Sequence, residues 1–286
     1  MKLPVATRPV DAVITPPPSK SITHRALIAA ALSPGRTRVE NPLNAEDTRL
    51  TAAGLQKLGV GIRRSSSAWW EVDGWTEGRP SPEGATQVRL QLGNSGTSLR
   101  LLMPVAALGP RSTLFDGRPR LRRRPVGELA AALRSLSVRV DEQSRPGCPP
   151  VVVTGPLGPG SVRVDARESS QTVSGLLLAA PRAGGPCSIE VEHLSSRPYV
   201  DITLAVMGAF GVQVDVAEGR VFGVRPQEYV SPGRYRVEAD ASSSAFLLAA
   251  AAVTGGRVRV DGVGERSVQG DRRFGDLLAA MGCRLD

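Results

Sequence analysis

A fourfold internal repeat limits what this chain can fold into more than any other feature of its sequence. Small polar residues open an Ala- and Leu-rich segment four times, and spacings of 75, 74 and 73 residues separate Ser21, Gly96, Ser170 and Ser243. A near-constant period indicates that one supersecondary unit is used repeatedly. Each copy reads as a helix, a short alternating strand, a second helix and another strand. We therefore predict an α/β (α+β) fold in which the units pack on one another, since one unit cannot bury its own apolar faces.

The second helix of each unit ends at a tripeptide in which Gly or Ser stands between two apolar residues. These tripeptides locate the second helices and the strands in the sequence. Proline 125 suits the first turn of its helix, because its missing N–H costs nothing there. The predicted second helices span 47–58, 125–136, 199–210 and 272–281. The predicted strands span 36–40, 60–64, 138–140, 151–154, 187–191, 212–216 and 257–260, and a strand at 11–15 needs a sheet to join.

Residues 18–25, Pro-Ser-Lys-Ser-Ile-Thr-His-Arg, have the pattern of a helix N-terminus. Proline ends the preceding element, and the oxygen of Ser19 or Ser21 can satisfy the first free amide groups. Such an end suits an anion because it carries unpaired N–H groups, and Lys20 and Arg25 add full positive charges. Lys20 is one of three lysines among 36 Lys and Arg residues. The alternative interpretation is a solvated lysine before an amphipathic helix.

The net charge of +9 indicates anionic partners, and the sequence favours small ones. The basic residues form no long tail and only one dense run, 118–124, so nucleic acid is not expected. No apolar run has transmembrane length and no signal peptide is visible, so we expect no membrane association and a cytoplasmic setting. Three widely spaced cysteines and two histidines predict no disulfide framework, no metal site and no cofactor.

Short motifs at the openings of the units carry a resemblance to a known family. They occur in family order and at family-like gaps over the whole chain, and together they are highly specific although each alone is weak. The motifs are Ser19-Lys20-Ser21 with His24-Arg25, Leu92 to Thr97, Arg123-Arg124-Pro125, Ser169-Ser170-Gln171, Ser196 to Tyr199, Asp240 to Phe246 and Gln269-Gly270-Asp271. On these residues the sequence resembles the EPSP synthase family, the 3-phosphoshikimate 1-carboxyvinyltransferases of the shikimate pathway.

The resemblance implies two similar domains, each of three βαβαββ-type units around a bundle of parallel helices, with the active residues between the domains. It assigns residues 1–20 to an N-terminal strand of the second domain, 21–228 to a complete three-unit domain, and 229–286 to the first unit of an incomplete second domain. The family's later aspartate near the attacking hydroxyl, and its C-terminal Arg and Lys, have no counterpart before Asp286. We therefore expect this sequence to correspond to the front two-thirds of the enzyme.

The resemblance also implies a transferase reaction. The enolpyruvyl (carboxyvinyl) group of phosphoenolpyruvate moves to the 5-hydroxyl of shikimate 3-phosphate, a step in chorismate and aromatic amino-acid biosynthesis. Lys20 is the implied catalytic residue, lying between the two substrates. The residues implied for shikimate 3-phosphate are Lys20, Ser21, Arg25, Ser169, Ser170, Gln171, Ser196 and Tyr199. The residues implied for phosphoenolpyruvate are Lys20, Asn94, Gly96, Thr97, Arg124 and Gln171.

Simpler interpretations accompany these roles. The alternatives are a surface ion pair for Arg25, a plain capped turn for residues 93–97, and a half-buried aromatic at a helix cap for Tyr199. Other polar residues near the motifs are interpreted as structural or solvated. They are the helix-capping pair Glu46 and Asp47, the structural or hinge-side Asp240 and Ser242 to Ser244, the structural His24 and His193, and the solvated Arg118, Arg120, Arg122 and Arg123.

Two other functions remain open on the sequence. A UDP-sugar enolpyruvyl transferase shares the architecture, but it often uses a cysteine near the position of Arg118, where this chain has none. A non-catalytic remnant would bind shikimate 3-phosphate alone, and we expect this chain to bind that ligand with little turnover. The complete enzyme is expected to be a monomer, whereas exposed apolar surface at 246–253 would favour association of the shorter form.

Overall fold

The computed structural model describes residues 8–65, 68–76 and 87–285, and the repeat is visible in its order of elements. The helices are α1 (Lys20–Leu32), α2 (Glu46–Lys57), α3 (Gly96–Ala106), α4 (Gly127–Ser135), α5 (Gln171–Ala179), α6 (Arg197–Ala209), α7 (Ala241–Thr254) and α8 (Phe274–Ala280). The strands are β1 (Asp11–Ile14), β2 (Gly35–Glu40), β3 (Gly61–Ser65), β4 (Trp69–Gly74), β5 (Gln87–Gln91), β6 (Ser112–Asp116), β7 (Arg139–Glu142), β8 (Val151–Thr154), β9 (Gly160–Ala166), β10 (Cys187–Leu194), β11 (Asp215–Ala217), β12 (Val221–Val224), β13 (Arg234–Arg236) and β14 (Arg257–Val260).

Three four-stranded sheets share one construction, which confirms the α/β fold and the repeated unit. Their strand orders are β13-β2-β4-β3, β5-β6-β8-β7 and β9-β10-β12-β11. In each sheet the first pair is parallel and the other two pairs are antiparallel. The second and third units run strand, helix, strand, helix, strand, strand along the chain. This is the βαβαββ order implied by the resemblance.

The first sheet obtains its parallel edge strand from a distant part of the chain. β13 follows the third unit, yet it pairs with β2, so that Tyr235 lies opposite Val39. This strand lies beyond the domain boundary predicted at residue 228, and the first sheet is complete only when the chain returns to it. β1 pairs in parallel with β14, which supplies the sheet that the N-terminal strand needs. The division into two domains itself stays a prediction.

The first helices of the three units lie at the centre of the molecule and are buried around almost their whole circumference. α1 is buried over residues 22–32, α3 over 98–106 and α5 over 172–179. A Cβ atom on Gly175 would lie 2.5 Å from the carbonyl oxygen of Arg100, so glycine lets α5 approach the backbone of α3. α2, α4 and α6 bury one face each and cover this centre.

Some predicted boundaries are wrong by a few residues. The sequence predicts Pro125 in a first helical turn, but α4 begins at Gly127 and Val126 is its N-cap, with φ −132°. The Pro125 carbonyl instead accepts a hydrogen bond from a side chain of α3, described below. The last predicted helix is divided into a 3₁₀ turn, Gly270–Arg273, and the shorter α8. β11 begins at Asp215 rather than at residue 212.

α7 differs from the other first helices because little covers it. Its sequence is apolar around the circumference, yet only Ala241 and Ser244 are buried. Phe246 and Val253 are 80% and 83% exposed. The apolar surface predicted at 246–253 is therefore confirmed, while association through it stays a prediction. Across the described ranges, no helix combines the length and the apolar character that crossing a bilayer requires.

Candidate functional site

The N-terminus of α1 is capped from the fourth unit rather than by its own serine. The Ser19 side chain makes no capping hydrogen bond to a described residue, so the expectation that it satisfies the first amides is wrong. Asp240 takes that place: its Oδ2 accepts from the Lys20 amide at 3.4 Å, and its Oδ1 accepts from the Ser243 amide at 3.1 Å. One carboxylate thus caps α1 and α7 together, a structural role of the kind predicted for Asp240.

The Lys20 ammonium lies between the first turns of α1 and α2. Its Nζ is 3.3 Å from Asp47 Oδ2, and the lysine side chain is 48% exposed. Glu46 and Asp47 lie in the first turn of α2, where negative charge suits the helix dipole, as their interpretation as a capping pair requires. The side-chain capping hydrogen bond itself comes from Thr48, whose Oγ1 accepts from the Ala45 amide at 3.1 Å. The Asp47 carboxylate is the ion-pair partner of Lys20.

Arg25 is a buried cation whose hydrogen-bond partners are all neutral. Its Nε donates to Thr203 Oγ1 at 2.7 Å, its Nη1 to the Ser21 carbonyl at 2.9 Å, and its Nη2 to Ser174 Oγ at 3.0 Å and the Tyr199 carbonyl at 3.1 Å. Burial lowers the pKa of Arg25 to about 10, so it stays charged at neutral pH. The alternative of a surface ion pair is wrong. No described carboxylate compensates this charge, so an anion that reaches it would be stabilised.

A cavity of about 480 Å³ lies between the N-terminal turns of α1 and α6 and the fourth unit. Ser21, Ser196 and Tyr199 line it, so three residues predicted for shikimate 3-phosphate share one hollow. The fourth unit contributes Asp240 and Asp271 to the same wall. The tyrosine is 40% exposed, which leaves its ring accessible to a ligand.

Ser169 and Ser170, which are also predicted for shikimate 3-phosphate, lie outside the lining of this cavity. Ser170 is buried at the N-cap of α5. Ser169 lines a narrow cleft that it shares with Arg100, and its Oγ accepts from the Gln171 amide at 3.2 Å. The structure therefore groups Ser169 with residues of the second unit rather than with Ser196.

A second cluster joins the N-terminal turns of α3 and α5. Gln171 Nε2 donates to Thr97 Oγ1 at 3.0 Å, and Gln171 Oε1 accepts from Arg100 Nη1 at 3.2 Å. A Cβ atom on Gly96 would lie 3.0 Å from Arg100 Nη1 and 4.0 Å from Arg124 Cδ. Four residues predicted for phosphoenolpyruvate, namely Gly96, Thr97, Arg124 and Gln171, therefore lie together around two guanidinium groups.

Arg100 is the member of this cluster that the sequence analysis missed. It is buried, and its Nη2 donates to the Pro125 carbonyl at 2.7 Å. Burial lowers the pKa of Arg100, and the nearby charge of Arg124 lowers it further. The sequence signal for Arg100 was a single arginine within the apolar sequence of α3, because arginine is seldom fully buried unless it has polar partners. Asn94 Oδ1 is likewise buried, and no described residue hydrogen-bonds to it.

The loop that carries Arg124 is held by an ion pair. Arg122 donates to both oxygens of Asp116, at 2.8 and 2.7 Å. Burial acts to raise the pKa of Asp116, but hydrogen bonds from Arg122 and from the Gly117 amide outweigh it, and the pKa is lowered. Arg118, Arg120, Arg122 and Arg123 are exposed, as the sequence predicts. Arg122 nevertheless has a defined partner, which fixes the turn before Arg124.

One group of potential metal ligands occurs in the described ranges. Ligand atoms of Asp165, Glu192 and His193 lie within 4.8 Å of one another. Arg167 Nη2 lies 3.2 Å from His193 Nδ1 and 3.6 Å from an Asp165 oxygen, and Arg163 pairs with Glu192 at 3.7 Å. These groups are therefore engaged with cations of the protein itself.

Comparison with known proteins identifies the family. The sequence model of EPSP synthase (3-phosphoshikimate 1-carboxyvinyltransferase) matches residues 5–286. The chain belongs to the EPSP synthase family. The UDP-sugar transferase alternative gains no support from this match.

Named relatives agree with this membership. A 3-phosphoshikimate 1-carboxyvinyltransferase of Methanoculleus marisnigri is 45% identical over 98% of this family member, which spans 65% of that relative's length. The protein of that name from Photorhabdus laumondii is 40% identical, with 96% and 64% of the two chains covered. An EPSP synthase structure from Acinetobacter baumannii has a TM-score of 0.79 and 29% identity, and the match covers 91% of this chain and 57% of that one. This EPSP synthase family member thus spans just under two-thirds of the length of the curated relatives it matches.

Proposed function

We propose that this member of the EPSP synthase family binds shikimate 3-phosphate and phosphoenolpyruvate and takes part in the transfer of the enolpyruvyl group between them. The observation that carries the proposal is the pair of buried arginines, Arg25 and Arg100, at the helix N-termini that open the repeated units. Their hydrogen-bond partners are neutral, and helix N-termini add further positive potential. Such a site favours ligands that carry several negative charges.

The cavity lined by Ser21, Ser196 and Tyr199 suits shikimate 3-phosphate. Serine hydroxyl groups make part of its lining polar. The buried Arg25 is next to this lining, because it donates hydrogen bonds to the carbonyls of Ser21 and Tyr199. Charged and hydroxyl donors of this kind bind carboxylate and phosphate groups without a metal ion. Ser169, Ser170 and Gln171 are proposed as further ligands of shikimate 3-phosphate at the start of α5.

The cluster around Gly96 suits the smaller anion. Glycine lets the Arg100 guanidinium and the Arg124 side chain approach the first turn of α3, and the phosphate is proposed to bind beside these cations and the first amides of the helix. Gln171 is proposed to contact both ligands, because it begins α5 while its side-chain amide reaches Thr97 and Arg100 of α3. Asn94 has an unpartnered side-chain oxygen at the same turn, within the part of the chain that is described.

The proposed chemistry joins two anions. The 5-hydroxyl of shikimate 3-phosphate gives up its proton and attacks C2 of phosphoenolpyruvate while C3 takes up a proton. The tetrahedral intermediate then loses phosphate from C2 and a proton from C3, which restores the carbon–carbon double bond. Negative charges are brought close together in this step, so fixed cations and helix amides would stabilise its transition state most in a site from which water is excluded. Lys20 is proposed as the cation nearest the hydroxyl and the transferred group.

The proposed setting is the cytoplasm. Cys148, Cys187 and Cys283 are free thiols, which supports a reducing compartment. Small biosynthetic anions rather than macromolecules are the proposed partners.

Calorimetric titration tests the proposal. We expect the chain to bind shikimate 3-phosphate, and to bind phosphoenolpyruvate when the first ligand is present. Arg124→Met should weaken phosphoenolpyruvate binding by about tenfold or more, since a charge-assisted contact is lost. Arg123→Met is the matched control, because Arg123 is the adjacent exposed arginine and should leave both affinities unchanged. Absence of binding for both anions, or equal losses in the two variants, would contradict the proposed function.

A further inference from the structure

Lys20 contacts two carboxylates, one through its backbone amide and one through its side chain. Its backbone amide donates to Asp240, and its ammonium pairs with Asp47 at 3.3 Å. A lysine on an exposed surface samples many rotamers, and ordering it costs conformational entropy. An ion pair that orders the ammonium before a ligand arrives removes that cost from the binding step.

Asp47 is itself anchored by buried hydrogen bonds. Ser98 Oγ donates to the Asp47 carbonyl at 3.1 Å, and it lies 2.7 Å from Thr51 Oγ1 and 2.8 Å from Ser95 Oγ. Thr51 Oγ1 in turn lies 2.7 Å from His24 Nδ1. The chain of contacts crosses from α1 through α2 to α3, and its four side chains are buried.

The number of available protons determines which group donates in each of these hydrogen bonds. Ser98 has one hydroxyl proton, and the Asp47 carbonyl can only accept, so Ser98 must accept from both Thr51 and Ser95. Thr51 then has no proton left for His24, so the histidine donates from Nδ1. Burial lowers the pKa of His24 to about 3, which agrees with a neutral ring protonated at Nδ1 alone.

These hydrogen bonds connect the first turn of α2 to the turns of α1 and α3 that carry residues proposed to bind the substrates. Ser95 accepts from the Ser98 amide at 3.2 Å as the N-cap of α3, directly before Gly96 and Thr97. His24 lies one turn after Lys20 on α1. The backbone of Asp47 is therefore held in a defined position relative to the first turns of α1 and α3.

We propose that Asp47 is a positioning residue, which holds the Lys20 ammonium in place while the His24–Thr51–Ser98 hydrogen bonds hold the backbone of Asp47. This inference rests on the proposed function, in which Lys20 meets both substrates. A carboxylate near an anion site is unfavourable by charge alone. Orientation of Lys20 accounts for a negative group at this position.

The hold on Lys20 is tested first in the free chain. Lysine labelled with ¹³C gives three Cε signals, from Lys2, Lys20 and Lys57, and Lys20→Met identifies the relevant one. Asp47→Asn should make the Lys20 Cε signal more mobile by relaxation measurements. Glu46→Gln is the matched control, because Glu46 lies in the same turn but pairs with Arg118 at 3.4 Å. An unchanged Lys20 signal in Asp47→Asn would overturn the proposal.

The hydrogen-bonded chain is tested by a second pair of variants. Thr51→Val removes the hydroxyl at nearly constant volume, whereas Thr51→Ser keeps it. We expect Thr51→Val to reproduce the Asp47→Asn change in the Lys20 signal and Thr51→Ser to resemble the unmodified chain. Equal behaviour of the two Thr51 variants would exclude the hydroxyl as the support of Asp47.

The affinity for shikimate 3-phosphate distinguishes two effects of Asp47, its orientation of Lys20 and its negative charge, because they change the affinity in opposite directions. Asp47→Asn removes a negative charge and would tighten the binding of shikimate 3-phosphate if charge alone acted. Orientation predicts about fivefold weaker binding, and no weakening when Asp47→Asn is added to Lys20→Met, because the two effects act through one contact. Tighter binding, or equal weakening in both backgrounds, would contradict the inference. If the unmodified chain binds no shikimate 3-phosphate, the proposed function fails, while the lysine signals still decide whether Asp47 holds Lys20.

Discussion

The buried His24 predicts a specific dependence of stability on pH. Its Nδ1 is bonded to Thr51, and its Nε2 has no hydrogen-bond partner among the described residues. Burial lowers its pKa from 6.5 to about 3, so the folded chain keeps the ring neutral while the unfolded chain takes up a proton below about pH 6.5. The unfolded state then binds more protons, and the free energy of unfolding falls as the pH falls from 6.5 towards 3.

The magnitude follows from the two pKa values. Between pH 7 and pH 5 the histidine should remove roughly 2 kcal/mol of stability, because each unit below pH 6.5 costs about 1.4 kcal/mol. His24→Asn provides the comparison: the asparagine amide can still donate to Thr51 from near the place of Nδ1, but it does not titrate. The contributions of all other groups cancel when the two proteins are compared at each pH.

Urea unfolding at pH 8, 7, 6 and 5 measures the effect. At pH 8 the ring is neutral in both states, so the difference between the two proteins there sets the baseline for the substitution itself. Relative to that baseline, His24→Asn should gain about 2 kcal/mol at pH 5. Parallel stability curves from pH 8 to pH 5 would refute the reasoning, because they would mean that the folded state accepts the proton without penalty.

Two further predictions concern glycines. Gly96→Ala would crowd the guanidinium groups beside the proposed phosphate position, so calorimetry should show phosphoenolpyruvate binding weakened by about tenfold, roughly 1.4 kcal/mol, with shikimate 3-phosphate binding unchanged; equal losses for both ligands would argue against that position. Gly74→Ala would place a Cβ atom 1.9 Å from the Ser33 carbonyl oxygen and should lower the free energy of unfolding by about 3 kcal/mol. Gly208→Ala has nothing within 4 Å of its new atom and should raise it by roughly 0.5–1 kcal/mol, so similar urea midpoints for the two variants would contradict the packing.

The repeat could be predicted from the sequence because its signal is periodic and local. Helix openings at Ser21, Gly96, Ser170 and Ser243 recur at a near-constant spacing, and the first three units each contribute to a four-stranded sheet of the same construction. The pairing of the edge strand β13 with β2 could not be predicted from the repeat. It is only three residues long, and its partner β2 lies nearly 200 positions earlier, so nothing local marks the pairing.

The candidate site was predicted in part for a similar reason. Motif residues such as Gly96 and Gln171 stand at helix openings, where the sequence pattern is visible. Arg100 stands inside a helix whose neighbours are apolar, and its role depends on contacts to Gln171 and Pro125 from other units. The capping of α1 by Asp240 joins residues 220 positions apart, and single-chain patterns carry no information about such a contact.

Arg25 has a consequence for how ligands are selected. Its guanidinium loses its water when the chain folds, because neutral carbonyl and hydroxyl oxygens take the place of solvent. An arriving anion therefore has only its own hydration shell to shed, whereas an uncharged polyol of the same shape gains nothing from the cation. Under the proposed function, folding therefore prepares the surroundings of Arg25 to favour an anionic ligand over a neutral one before any ligand binds.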